Sequence, residues 1–269
     1  MWRRIASLPL RLASGALSAG RALLTESAQK RIDRADTLQT RNLAFQGGPD
    51  SARTAAVPDR LKLLQLLQWL SPAFPTGAFA YSGGLEQAIA EDLVSDAASL
   101  ERWIQGILRY GSGWQDAVVL ARALAPGADH DALDALMRAT AVSAERLTET
   151  REQGAALART VSALTGRCLP PRALPVALGE AAAPLGVPTE TVVAFYLQSL
   201  AGNLAVIAVR RVPLGQTEGQ AVLRRLLPAI ADIALAARDA PRGPPLAAAF
   251  GADLATMRHE TLDVRLFRT

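Results

Sequence analysis

Half of the 269 residues are apolar and a fifth are charged, a balance that excludes a disordered chain and supplies enough apolar surface for a packed core. The net charge of +4 hints at nucleic acid only until it is divided: residues 1–57 hold nine basic and four acidic side chains, leaving 20 basic against 21 acidic for residues 58–269. A body so nearly neutral offers no basic face for phosphates, so no nucleic-acid partner is expected.

Residues 1–57, rich in Arg, Ser, Ala and Gly, read as a basic, disordered extension that ends in the turn-prone run Gly47 to Ser51. The stretch Ile5 to Leu24 has the pattern of a short amphipathic helix, and an Arg-rich start also resembles a transit peptide; Asp33 and Asp36 stand against the latter. Residues 58–269 read as one all-helical domain with a docking tail at 258–269. Ala and Leu dominate its apolar set, which favours helix over strand.

Asp59 is placed to cap a helix with Leu63, Leu66, Leu67 and Leu70 inward, stopped by Ser71-Pro72. After a Pro/Gly/aromatic loop, Asp96 opens a helix in which Leu100, Trp103, Ile104, Ile107 and Leu108 fit the helical period and Gly111 closes the element. Further helices are predicted from Trp114 to Leu124 and after Asp129, the latter with Leu133, Leu136 and Met137 inward. Ser143 starts a long helix to Thr165 with Leu147, Leu157, Val161 and Leu164 on one side and Gly166 as its stop. Residues Thr191 to Val209 carry no charge. Gln198, Ser199 and Asn203 in mid-segment argue against a membrane span and for the hub of a bundle, where a few amides find partners. Thr217 and Gln220 have capping-box spacing for a helix with Leu223, Leu226, Leu227, Ile230, Ile233 and Ala237 inward. A short helix over Leu246 to Met257 and a polar tail complete an all-α bundle of about eight to ten helices.

Residues able to do chemistry are few. The only cysteine, Cys168, precludes an internal disulfide and fits a reducing cytoplasm. His130, between Asp129 and Asp131, reads as a solvated helix start; His259 lies in Met257 to Glu260, which offers S, N and O donors but without a second His or Cys at ligand spacing is not expected to form a local nickel site. No Walker-type phosphate cradle occurs, since Gly83-Gly84 lacks the downstream Lys-Ser/Thr pair. Glu145, Glu149 and Glu152 alternate with Arg146 and Arg151 and read as a solvated helix face. No catalytic constellation and no metal site of the chain's own are expected.

Two irregular segments stand out. Ser71 to Glu86 packs two prolines, three glycines and three aromatics into sixteen positions, suiting either a rigid connector with core-filling aromatics or a partner-facing surface. The tail places Leu266 and Phe267 between Arg265 and Arg268, suiting either docking on another protein or packing on its own domain.

Three motifs carry a resemblance. Leu64 to Pro72 followed by Pro75-x-Gly77-x-Phe79-x-Tyr81-Ser82-x-Gly84-Leu85-Glu86 is similar to the opening signature of the urease accessory protein F (UreF) family. Val209 to Gln220 resembles that family's central motif, and Met257-x-His259-Glu260-Thr261-Leu262-x-x-Arg265-Leu266-Phe267-Arg268 its C-terminal signature. The resemblance implies an all-α, non-catalytic, homodimeric protein that works in a complex with urease accessory proteins D (also called H) and G, a nickel-carrying GTPase, to deliver nickel to apo-urease. Nickel and GTP would be handled by that complex rather than bound by this chain. It further implies that Arg265, Leu266 and Phe267 dock on protein D, that Phe79, Tyr81 and Ser82 serve assembly of the complex, and that Arg210 faces the GTPase. Glu86 and His259 belong to the same partner-binding set. Asp263-Val264 departs from the family's usual aromatic and small polar pair, so weaker tail docking is expected. Two rivals remain from residues alone: an all-helical enzyme with a dispersed site, and a membrane-surface protein using the basic extension.

Overall fold

Polar caps decide where four of the described helices begin. The computed structural model describes residues 59–245 and 247–268; the expected extension, residues 1–57, lies outside them. Asp59 accepts a hydrogen bond from the Leu61 amide and starts α1 (Arg60–Trp69). The Pro/Gly loop then makes one 3-10 turn at Ala78–Ala80 and leads into α2 (Leu85–Ala90). Asp96 and Ser99 form a reciprocal capping box at the start of α3 (Ala97–Tyr110), and α4 (Ser112–Ala123) follows after Gly111. Asp129 caps α5 (His130–Ala139) and Ser143 caps α6 (Ala144–Thr165). Gly166 ends α6 at φ +71°, a backbone geometry that favours glycine. α7 (Leu174–Ala182) carries Pro175 in its first turn, where the missing amide costs nothing. α8 (Thr189–Arg211), α9 (Gln216–Arg238) and α10 (Phe250–His259) complete the order. Among the described residues there is no strand, so the expected all-α bundle is what forms.

The uncharged helix α8 is the hub. It packs along α9 and also touches α3, α4 and α2, and the small side chains of Ala201, Ala205 and Ala208 are buried in these contacts. Its mid-helix polar groups are used inside the protein. Ser199 Oγ donates to the Leu70 carbonyl at 2.8 Å and Asn203 Nδ2 donates to the Ala78 carbonyl at 2.9 Å. By length and composition α8 could cross a membrane, yet half of its apolar stretch is already buried by other helices. Those same hydrogen bonds fasten the Pro/Gly loop to the hub. A second close approach joins α6 to the strap before α7: a Cβ on Gly154 would lie 1.9 Å from the Arg172 carbonyl oxygen.

Several inward faces differ from expectation. In α1, Leu66 and Trp69 are buried while Leu67 is exposed; in α6, Leu164 is 59% exposed; in α9, Leu227 is exposed. A helix on the rim of a bundle buries a narrow stripe, so the outermost of a wide set of leucines turn to water. α9 is capped at Gly215 rather than Thr217, and only the Glu218 half of a capping box forms, because glycine has no side-chain acceptor. α9 begins at Gln216, which puts Glu218 three residues past the cap, where its carboxylate accepts the Gly215 amide at 3.0 Å. The last helix runs Phe250–His259 rather than from Leu246, which is outside the described residues. His130 is not a free helix start: its Nε2 lies 2.9 Å from the Ala123 carbonyl, tying α5 to the end of α4.

Candidate functional site

Gly84 allows the loop motif to meet the C-terminal helix. Its φ of +78° suits glycine, and a Cβ there would sit 2.8 Å from the Thr256 backbone nitrogen in α10. The chain turns at this point and sends Glu86, in the first turn of α2, into the interior, where it is 1% exposed. A buried carboxylate is costly unless its lone pairs are taken up. Here they are. The Leu266 amide donates to Glu86 Oε1 at 3.1 Å, the Phe267 amide to Oε2 at 3.0 Å, and His259 Nε2 lies 3.1 Å from Oε2. Arg211, at the C-terminal end of α8, forms an ion pair with Oε1 at 3.5 Å. Burial alone would raise the Glu86 carboxyl, but the hydrogen bonds from His259, Phe267 and Leu266 outweigh it and hold the group below its ordinary value.

The tail is seated by further contacts on α6. His259 is fully buried, and its other ring nitrogen, Nδ1, faces Glu145 Oε2 at 2.8 Å; Arg265 donates to the second oxygen of Glu145 at 2.9 Å. Glu260 accepts the Ala144 amide at 2.9 Å, placing a carboxylate at the positive N-terminus of α6. The Arg268 amide donates to the Ala80 carbonyl at 2.7 Å, and its guanidinium reaches Glu152 at 2.6 Å and stacks 5.5 Å from the centre of the Tyr81 ring. Tyr81, itself buried, donates its hydroxyl to Glu152; burial and that carboxylate push the phenol well above its ordinary range. Phe267 packs partly buried against the core. The tail therefore packs on its own domain through Phe267 and Arg268 while Leu266 stays exposed.

The expected solvated face of α6 is a correction. Arg146 and Glu149 are buried, and Arg146 grips both oxygens of Asp116 at 2.7 and 2.6 Å and Glu149 at 3.1 Å. Tyr196 donates to the same Asp116 at 2.6 Å. Burial, the largest influence, pushes the Glu149 carboxyl up in spite of Arg146. Glu145 and Glu152, on the same helix, are the acceptors for the tail rather than free surface charges.

The nine expected partner-binding residues divide by exposure. Glu86, His259, Tyr81 and Ser82 are buried, with Ser82 Oγ 3.3 Å from the Glu86 amide that donates to it. Phe79 is 69% exposed, Leu266 64%, and Arg265 and Arg210 also face solvent. The three motifs noted in the sequence, separated by as many as 181 positions, thus meet around one carboxylate. Comparison with known proteins fits this arrangement. A urease accessory protein UreF of Cereibacter sphaeroides (strain ATCC 17029 / ATH 2.4.9) is 61% identical over 207 residues, covering 77% of this chain and 98% of the relative. The chain belongs to the UreF family. The UreF family model matches residues 94–227. Relatives of the same printed name from Jannaschia sp. (strain CCS1) and Paracoccus denitrificans (strain Pd 1222) are 50% and 49% identical over 223 and 218 residues, spanning 83% and 80% of this chain and 99% and 100% of their own lengths.

Cavities among the described residues of this UreF family member include two of different kinds. One of about 30 Å³, room for little more than a water molecule, lies among Tyr81, Arg146, Glu149, Asn203 and Thr256. An open groove of about 580 Å³ runs between the ends of α4 and α9 and the start of α5, lined by alanines such as Ala121, Ala125 and Ala132 together with Arg122, Asp129, Arg238 and Arg242. Among the described residues no cluster of three His, Cys, Asp or Glu side chains is placed to hold a metal. Both His259 nitrogens are turned to carboxylates, while Met257 is exposed. Sequence reasoning missed Glu145, Glu152 and Arg211 as structural partners of the site, and Asp116 as the anchor of the Arg146 cluster. Asp116 had a visible signal: it is a carboxylate directly ahead of the apolar run Ala117 to Ala121.

Proposed function

We propose that this chain is a urease accessory protein that acts without catalysis of its own, as a scaffold on which accessory proteins D (H) and G support GTP-dependent nickel insertion into apo-urease. The observation that carries this reading is the convergence of the loop, the Arg210 turn and the tail around Glu86, leaving Phe79, Arg210, Arg265 and Leu266 turned to solvent. Aromatic, aliphatic and Arg side chains presented on a rigid backing are the usual anchors of protein interfaces. Phe79 serves assembly of the complex, Arg210 faces the GTPase, and Arg265 and Leu266 dock on protein D, with Phe267 securing the tail from below. In this reading the GTPase binds the nucleotide, the complex carries the nickel as cargo, the protein works as a homodimer, and the setting is the cytoplasm. An enzyme would instead need a nucleophile or an acid/base pair converging on an open pocket; the large groove sets Arg122, Arg238 and Arg242 beside a single carboxylate, Asp129, and the buried Asp116–Arg146–Glu149 cluster is consumed by its own ion pairs.

Co-expression of the full chain with proteins D and G, followed by affinity capture and urease assay, tests the proposal. Both partners are expected in the captured complex, and urease activity is expected to fall when this chain is omitted. Recovery of neither partner, with urease activity unchanged by the omission, would overturn it.

A further inference from the structure

Glu86 and His259 were grouped with the partner-binding residues, yet they are 1% and 0% exposed, so neither can touch a partner while the tail is seated. We infer that Glu86 is a positioning residue: it sets the backbone of the docking tail and pairs with the Arg210–Arg211 turn, so that one buried carboxylate orders both partner-facing surfaces. The inference rests on the scaffold reading for what the surfaces bind, but not for how they are held.

When the Leu266 and Phe267 amides both point at the Glu86 carboxylate, at 3.1 and 3.0 Å, the backbone torsions of the two residues are fixed. The chain bends at these two residues, which lets successive amides meet one carboxylate and leaves Leu266 turned out, 64% exposed, while Phe267 packs inward against the core. Releasing those amides would free this bend, and Leu266 would lose its fixed direction. The carboxylate is specific for the task. Both oxygens accept, and charge-assisted bonds to backbone amides are stronger than neutral ones; an amide side chain of the same shape would place an NH2 group against an N–H donor. His259 Nε2 faces the same carboxylate from α10, and the Arg211 guanidinium from α8 compensates its charge in the interior. Arg211 adjoins Arg210, so the carboxylate that seats the tail also restrains the turn.

Glu86→Gln in the full chain tests this at two levels. In the isolated protein, amide hydrogen exchange at Leu266 and Phe267 is expected to accelerate at least tenfold while far-UV circular dichroism keeps its helix signal; unchanged exchange at these two amides would overturn the inference whatever the partners do. In affinity capture, Glu86→Gln is expected to weaken binding of protein D about tenfold, and to have less than a twofold further effect in a chain that already carries Arg265→Ala and Leu266→Ala, because both changes act through one tail. Fully additive losses would mean that Glu86 acts on the fold and would overturn the inference. If the Gln variant fails to fold, Glu86→Asp, which keeps the charge but shortens the reach, is read the same way, and protected tail amides there would overturn it. Absence of protein D capture by the unsubstituted chain would count against the scaffold reading alone, since the exchange result stands without a partner.

Discussion

Replacing Arg146 by Met keeps most of the side-chain volume and removes the only cation among Asp116, Glu149 and Tyr196 in their buried cluster. Asp116 would lose two bonds of 2.7 and 2.6 Å and keep the 2.6 Å bond from Tyr196; Glu149 would keep only the 3.1 Å bond from Gln153. Breaking a buried ion pair from one side costs about 3–5 kcal/mol, because the remaining charge stays desolvated. Set against a typical total of about 5–15 kcal/mol, that is a large share of the stability, equivalent to roughly 10 °C in Tm for a domain of this size. Urea unfolding followed by circular dichroism measures it. The loss should be largest near neutral pH and should shrink in mild acid. Burial already raises the Glu149 carboxyl, so the folded state binds more protons than the unfolded state just above the ordinary carboxylate range, and stability falls as pH rises across that window. Without Arg146 this slope steepens. A loss below about 1 kcal/mol at neutral pH, or one independent of pH, would refute the claim that the cluster is dry and that Arg146 holds it together.

Gly154→Ala should destabilise the chain by about 3 kcal/mol or more, at the severe end for overpacking, because the new Cβ meets the Arg172 carbonyl rather than a flexible side chain; near-native urea unfolding would show that the two segments separate at little cost. Leu164→Gln, on the exposed edge of α6, should change stability by no more than about 0.5 kcal/mol, and a loss of 2 kcal/mol or more would restore the expectation that this leucine faces the core. Because Glu86 is held below its ordinary value, the stabilisation it confers is complete above the unfolded carboxylate value and is lost as pH falls through the lower, folded one. Backbone amide signals of Leu266 and Phe267 in NMR should therefore stay constant from neutral pH down through the ordinary carboxylate range and move only in stronger acid. Movement centred at or above that range would contradict the seating of the tail on a depressed carboxyl.

Helix starts were the most legible part of the fold, since Asp59, Asp96, Asp129 and Ser143 cap where a short acceptor precedes an apolar period. The width of each buried face was less so. Leu67, Leu164 and Leu227 satisfy the period as well as Leu66, Leu157 and Leu226 do, and only the position of neighbouring helices separates the exposed set from the buried one. The site's membership was visible because its motifs break the helical pattern with aromatics, glycines and arginines. Its wiring was not. Glu145, Glu149 and Glu152 share one helix and one residue type, yet the first and third hold the tail while the second lies in the core. Charge spacing along a helix carries no information about which carboxylates another segment will cover, and contacts across more than a hundred residues are set by the fold as a whole. Gly154 was silent for the same reason: a glycine in mid-helix reads as a weak spot until the segment that crosses it is known.

The most direct test of the central claim compares urease nickel content in cells lacking this chain after complementation with the unsubstituted protein or with a Phe79→Ala, Arg210→Ala, Leu266→Ala triple variant. All three side chains are exposed, so the variant should fold and accumulate normally. The unsubstituted chain should restore nickel to urease and the variant should leave it largely without metal; full restoration by the variant would contradict the assignment of these three convergent segments to partner binding.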